Sequence, residues 1–218
     1  MTATTPIRVD VWSDVQCIWC YISSARLRTA IARRPGPVEI VHHSFQLTPD
    51  APIEIDRNAQ IRSHNMGSER MQQIMDQLQQ IMDQLQQLTG EEGLPYDPDR
   101  TQPTNSHQAL ELLHHAGTLG KRAELTRRLF EAYFSEGRHL GHIDELLAIA
   151  EEAGLDRAAA SAALAEQRHV GDVDADIRQA HEFGARGVPF YVINNRYGLS
   201  GAQPVEQFVA AFDQANGR

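Results

Sequence analysis

Apolar and polar positions alternate from Ile7 to Trp12, where Ile, Val and Val interleave with Arg and Asp. A period of two predicts a half-buried strand. Ser13-Asp14-Val15-Gln16 breaks the alternation. From Cys17 to about Arg34, Ile22, Ala25, Leu27, Ala30 and Ile31 fall at helical spacing. Pro35-Gly36-Pro37 stops this helix, and Val38 to Phe45 reads as a second strand. A β–α–β unit of this size implies two parallel strands joined by a right-handed crossover.

A Pro- and Asp-containing loop (Leu47 to Ala51) then leads into a long helical tract from about Asp56 to Thr89. Gly90 to Pro103 holds three prolines and interrupts the pattern. Further helices are predicted at about 104–116, 118–135, 143–153, 157–167 and 170–184, punctuated by Gly137, Gly141, Gly154 and Gly171. Strand character returns only at Pro189 to Asn194. A turn at Asn194-Asn195 and a short strand, Tyr197 to Leu199, follow. Pro204 opens a last helix, a position where its missing N–H is no loss. The expected class is therefore α/β. Residues 1–50 and 186–218 form one four-stranded core with helices on both faces, and residues 51–185 form an all-helical insertion.

One stretch inside the long tract is unusual. Residues 72–78 read QQIMDQL, and residues 79–85 repeat them identically. Ile74, Leu78, Ile81, Leu85 and Leu88 fall at alternating four- and three-residue steps, a short coiled-coil seam. One extra copy lengthens a helix by about 10 Å at 1.5 Å per residue. The tract 71–88 reads either as extra turns on a surface helix or as a homodimer contact.

Composition narrows the function classes. The 218 residues suffice for one domain with a real core. With 41% hydrophobic and 22% charged residues, the chain reads as globular rather than disordered. The net charge of −9 carries no basic face for a phosphate backbone. Lys121, Arg122, Arg127 and Arg128 are diluted by Glu124 and Glu131 and read as a solvated helix face. Nucleic acid is thus not an expected partner. The start of the chain shows no secretory pattern, and no stretch approaches the length of a membrane span. The expected setting is the cytoplasm, where thiols are kept reduced.

The sequence has two cysteines, three positions apart, in Cys17-Ile18-Trp19-Cys20. In a reducing compartment such a pair is more often catalytic or metal-binding than a structural staple. It lies where the first strand gives way to the first helix. A helix N-terminus offers unpaired N–H groups and the positive end of the macrodipole, which stabilise a thiolate. Cys17 is the expected exposed nucleophile and Cys20 the covered resolving thiol. Gly187-Val188-Pro189-Phe190 opens the third strand. An X–Pro bond there is a candidate cis bond, with the Val188 backbone turned to an extended substrate. Asp14 reads as a cap for the turn before the helix, with proton carriage for the thiols as the alternative. Thr104 reads as the N-cap of the first helix after the proline-rich break. Leu129, Phe130, Tyr133 and Phe134 read as core.

The ten histidines do not add up to a metal site. His42-His43 and His114-His115 are neighbours whose side chains diverge. His139 and His142 straddle Gly141 with no carboxylate nearby in sequence. A structural zinc would need four ligands, and one cysteine pair supplies two. The expectation is no metal and no tightly bound cofactor.

Asp14-Val-Gln-Cys-Ile-Trp-Cys-Tyr-Ile, Phe45-Gln-Leu-Thr-Pro-Asp, Leu129-Phe-Glu-Ala-Tyr-Phe-Ser-Glu-Gly, Gly187-Val-Pro-Phe-Tyr-Val-Ile and Ser200-Gly-Ala-Gln-Pro span nearly the whole chain. With these motifs the sequence resembles DsbA-type oxidoreductases of the thioredoxin fold, in particular the FrnE-like branch. The resemblance implies thiol–disulfide exchange on protein or small-molecule disulfides. It implies Cys17 as nucleophile, Cys20 as resolving thiol and Pro189 as the cis-proline. Ile18, Trp19, Val188 and Pro189 are the expected substrate contacts, the resemblance adds Asn105 and His107 as weaker ones because their helix faces the active site in FrnE-like relatives, and glutathione or mycothiol is an expected co-substrate. One departure stands out: the family usually reads Cys-Pro-Trp-Cys, and here Ile18 takes the proline's place. That dipeptide tunes the dithiol–disulfide balance, for which 30 mV is worth about 1.4 kcal/mol. The same architecture also resembles 2-hydroxychromene-2-carboxylate isomerases and kappa-type glutathione transferases, which use a bound thiol and generally carry serine as nucleophile. A non-catalytic chaperone module, drawing on the heptad tract, is a third reading.

Overall fold

The computed structural model describes residues 6–55 and 68–216. Four strands form one sheet in the order β2-β1-β3-β4. They are β1 (Ile7–Ser13), β2 (Val38–Ser44), β3 (Phe190–Ile193) and β4 (Tyr197–Ser200). β1 and β2 are parallel, in register from Ile7 opposite Val38 to Ser13 opposite Ser44. β3 runs antiparallel to β1, and β4 antiparallel to β3. The helices are α1 (Ile18–Ala32), α2 (Ser68–Glu91), α3 (His107–Thr118), α4 (Arg122–Phe134), α5 (Ile143–Glu152), α6 (Arg157–Ala165), α7 (Val170–Glu182) and α8 (Val205–Ala215). The first part of the tract expected from Asp56, residues 56–67, lies outside the described residues.

The period-two pattern of β1 sorts its side chains between two cores. Ile7, Val9 and Val11 join Tyr191 and Ile193 against Leu27 and Ala30 of α1 and Phe208 and Phe212 of α8. Phe208 and Phe212 are fully buried, each worth roughly 1.5–3 kcal/mol relative to exposure. Trp12 points the other way and packs with Phe45, Phe190 and Val192 against Ala180 of α7. Gly36 sits at φ +100°, a conformation open to glycine between the two prolines that end α1.

The helical segment buries a third core, with Leu110 and Leu112 of α3, Leu125 and Leu129 of α4, Leu146 and Ile149 of α5, Leu164 of α6 and Val173 of α7. Phe130, Tyr133 and Phe134 are buried in it. Cys17, Cys20 and Tyr21 belong to the same cluster. The N-terminal end of α1 is thus wedged between the sheet and the inserted helices.

A buried polar knot fastens the sheet to those helices on the Trp12 face. The Asp176 carboxylate of α7 accepts the Ser44 N–H at 2.7 Å and lies 2.8 Å from His43 Nδ1, 3.0 Å from His114 Nε2 and 3.6 Å from Arg122 Nη2. His43 Nε2 also meets Asp10 at 2.9 Å, and the His43 ring stacks on Trp12 at 4.4 Å. Burial opposes the Asp176 charge, but His114, His43 and the Ser44 N–H overcome it and hold the carboxyl far below the usual range. This corrects the reading of Arg122 as part of a solvated face: its side chain is largely covered and tied to Asp176 and Ser44. Lys121 and Arg127 do lie toward the surface, paired with Gly154 O and with Glu124 and Glu131, whereas Arg128 is as covered as Arg122 and pairs with Glu136 and Glu152.

The start of α3 also differs from expectation. Its N-cap position is Ser106, and the Asn105 Oδ1 takes the His107 N–H at 2.9 Å. Thr104 lies two residues before that N-cap, where its hydroxyl donates to Ile53 O at 2.7 Å. The helix begins later than the Ser/Thr pattern suggests because Thr104 is recruited by the incoming 47–55 loop.

Candidate active site

Cys17 is the N-cap residue of α1, with extended backbone angles, and its carbonyl accepts the N–H groups of Cys20 at 2.9 Å and Tyr21 at 3.1 Å. Both cysteines are free thiols. The Cys17 thiolate is favoured first by a hydrogen bond from the Cys20 thiol, and further by the backbone N–H groups of Cys20 and Trp19. Burial and the Asp14 charge oppose this, and the balance leaves the Cys17 pKa below the ordinary thiol value. Cys20 moves the opposite way: burial, then the neighbouring Cys17, push it well above. The pair therefore divides into an activated thiol and a protonated donor beside it.

Cys17 is only 5% exposed and Cys20 3%, so the nucleophile is not the open group anticipated from the sequence. It belongs to the core cluster of the helical segment, against which Ile18 and Val188 pack half-buried. Trp19 stands out at 43% exposure beside it. The Val188–Pro189 peptide bond is cis. The Cys17 thiol donates to the Val188 carbonyl at 3.5 Å, which brings residues 171 positions apart into contact. The Pro189 carbonyl in turn accepts the Gly201 N–H at 2.8 Å, so the Ser200-Gly-Ala-Gln-Pro segment braces this loop. Ile18 and Trp19 thus follow Cys17 along α1, and Val188, which precedes Pro189, lies against its sulfur.

Two residues before Cys17 hold the site in place. Asp14 is fully buried: its carboxylate accepts the Gln16 N–H at 3.1 Å, the Leu47 N–H at 2.9 Å and the Ser106 hydroxyl at 3.2 Å. It caps the turn into α1, as expected, and also pins the loop after β2. Burial raises its pKa despite these donors. Gln16 carried no signal in the sequence. Its side chain exchanges two hydrogen bonds with the Thr104 backbone, at 2.8 and 3.1 Å, and accepts from the Tyr133 hydroxyl at 3.3 Å. Asn105 and His107 are both engaged within the protein. Asn105 binds Gln46, Pro49 O and Ala51 O, and His107 binds Glu111.

Behind Cys20 a cleft of about 280 Å3 runs between α1, α4 and β2. Its walls include Val11, Leu27, Ile40, Phe130 and Pro189, with Cys20 among them. His42 lines it, and burial lowers that ring's pKa to about 4, so it is neutral at physiological pH. Elsewhere, folding supplies the carboxylate that the sequence did not show beside His139 and His142. Glu54 lies 2.6 Å from His142 Nε2 and 3.9 Å from His139 Nε2. The two rings are stacked at 3.9 Å and 18°. One ligand-capable atom from each of Glu54, His139 and His142 lies within 4.8 Å of the others, and the Gly141 N–H takes His139 Nδ1, which leaves Nε2 toward Glu54. The trio clasps two loops together.

A strand-to-helix Cys-x-x-Cys apposed to a cis-proline loop, on a βαβ…ββα sheet with inserted helices, defines a DsbA-like protein of the thioredoxin fold. The chain belongs to the DSBA-like thioredoxin domain family, whose model matches residues 8–213. Among solved structures it is similar to a probable DsbA oxidoreductase from Streptomyces coelicolor, with 33% identity and a TM-score of 0.85 over 97% of this chain and 91% of that one. The fold is shared at 20% identity and a TM-score of 0.69 with a 2-hydroxychromene-2-carboxylate isomerase, covering 95% of each chain. It is also shared with the cytosolic disulfide reductase DsbM from Pseudomonas aeruginosa, solved with glutathione, at 18% identity and a TM-score of 0.63 over 96% of each chain. Among the described residues no helix is long and apolar enough to cross a membrane.

Proposed function

We propose that this chain is a cytoplasmic thiol–disulfide oxidoreductase of the FrnE-like branch, acting on protein or small-molecule disulfides. The observation that carries the reading is the Cys17 sulfur, fed by the Cys20 thiol and two backbone N–H groups and set against the Val188 carbonyl. The Cys17 thiolate attacks a substrate disulfide. One S–S bond forms, the substrate's breaks, and the leaving thiolate takes up a proton. Cys20 then gives up its proton and attacks the Cys17 sulfur, which releases the second substrate thiol and leaves a Cys17–Cys20 disulfide. Two molecules of a small thiol such as glutathione or mycothiol return the pair to the dithiol and leave as their own disulfide. Val188 supplies backbone to an extended substrate, with Ile18 and Trp19 as an apolar rim.

A second reading, a thiol-cofactor-dependent isomerase or transferase, draws on the apolar cleft that reaches Cys20. The deciding experiment is equilibration of the protein in glutathione buffers, with Cys17→Ser and Cys20→Ser as controls. A disulfide that forms only when both cysteines are present, with turnover requiring both, supports exchange. A potential near thioredoxin's, about −270 mV, indicates a reductase, and one near DsbA's, about −120 mV, an oxidant. If no disulfide forms at any poise, the exchange reading fails and the isomerase or transferase takes its place.

A further inference from the structure

Helix α2 (Ser68–Glu91) is tied to the body at its C-terminal end. Thr89 is buried, and Glu92, just beyond the helix, pairs with Arg26 at 2.6 Å. Along the preceding turns large apolar side chains face outward: Met75 is 46% exposed, Leu78 47% and Ile81 52%. At 3.6 residues per turn, Ile74, Leu78, Ile81, Leu85 and Leu88 fall within an arc of about 80°. The two flanks of that stripe differ. Met75 and Met82 border one side. Arg70, Gln77, Gln84 and Glu91 border the other, and Asp76 and Asp83 lie on the back. Exposed apolar stripes of this kind are interaction surfaces.

The order of these residues selects the occupant. The seam spacing of four, three and four between Ile74 and Leu85 reads the same in both directions, so the helix is complementary to an inverted copy of itself. Turned antiparallel, Ile74 meets Leu85 of the second copy and Leu78 meets Ile81, each contact made twice, with position 71 opposite Leu88. In that register like flanks meet: Met75 faces Met82, Gln77 faces Gln84, and the cation Arg70 faces the anion Glu91. A parallel pair would instead set the glutamine flank of one helix against the methionine flank of the other. We propose that α2 mediates an antiparallel, two-fold symmetric dimer of this chain, and that the duplicated heptad supplies its two central layers. The proposal is independent of the chemistry at Cys17.

The test is the mass of the full chain by sedimentation and light scattering, against a monomer of 24.4 kDa. A concentration-dependent dimer is expected. Leu78→Asp/Ile81→Asp should be monomeric with unchanged helical circular dichroism, because both positions are exposed, and deletion of residues 79–85 should weaken the dimer. Arg70→Glu alone and Glu91→Arg alone should each weaken it by about five-fold, from two lost pairs of roughly 0.5 kcal/mol each. The double exchange Arg70→Glu/Glu91→Arg should restore it. A wild-type chain that stays monomeric at millimolar concentration overturns the proposal. So does a dimer that survives Leu78→Asp/Ile81→Asp. Failure of the double exchange to rescue rejects the antiparallel register.

Discussion

The lowered Cys17 pKa owes most to one donor, and removing it is the sharpest test of the site. In Cys20→Ala the Cys17 sulfur keeps the backbone N–H groups of Cys20 and Trp19 but loses the S–H hydrogen bond that favours its thiolate most. A hydrogen bond to a charged group is worth about 1.5–3 kcal/mol. At 1.36 kcal/mol per pKa unit, the Cys17 pKa should rise by about 1–2 units. The sign follows because the lost donor stabilised only the charged form. Cys20→Ser keeps an O–H donor at the same place and should shift the pKa far less. The ultraviolet absorbance of the thiolate, followed against pH, reads Cys17 directly in both variants, since no other cysteine remains. The reasoning is refuted if Cys20→Ala titrates like wild type, which would leave the helix N-terminus as the whole cause. It is equally refuted if Cys20→Ser shifts as far as Cys20→Ala.

Two buried aspartates should respond to pH with opposite signs. Asp176 has a lowered pKa, so the stability it confers is present above its unfolded value of 3.8 and is lost as pH falls through the folded one. Asp176→Asn should cost about 3–5 kcal/mol at neutral pH by urea unfolding, with the gap to wild type closing in acid. A gap that does not change with pH would refute this. Asp14 has a raised pKa, so wild type should lose stability relative to Asp14→Asn as pH climbs from 3.8 through the folded value. Parallel stability curves for the two proteins would refute that assignment. Gly137 sits at φ +68°, and an added Cβ would meet the Arg100 Cβ at 2.6 Å and its carbonyl oxygen at 2.8 Å. Gly137→Ala should therefore destabilise by about 2–4 kcal/mol, read as a lower Tm, and an unchanged Tm would contradict the packing described.

Local order along the chain was legible in the sequence because it follows from short-range periodicity. The period-two run of β1, the apolar run of β3, the helical spacing after Cys17 and the breaks at Pro35-Gly36-Pro37 and Pro204 each sit within a few residues of their cause. Together they specified the strand and helix order, and with it the Cys-x-x-Cys at a helix start. What only the tertiary structure decided depends on residues far apart in sequence. Gln16 reaches Thr104, the Cys17 sulfur reaches Val188 O, and Ser44 and His43 reach Asp176. A polar side chain carries no mark of which distant backbone or carboxylate will satisfy it. Glu54 therefore joined His139 and His142, Asn105 was spent on a loop, and Arg122 went inward, none of it visible locally. The burial of Cys17 has the same origin: a helix start is open by itself, and here the Val188 carbonyl, 171 positions away in sequence, lies against its sulfur.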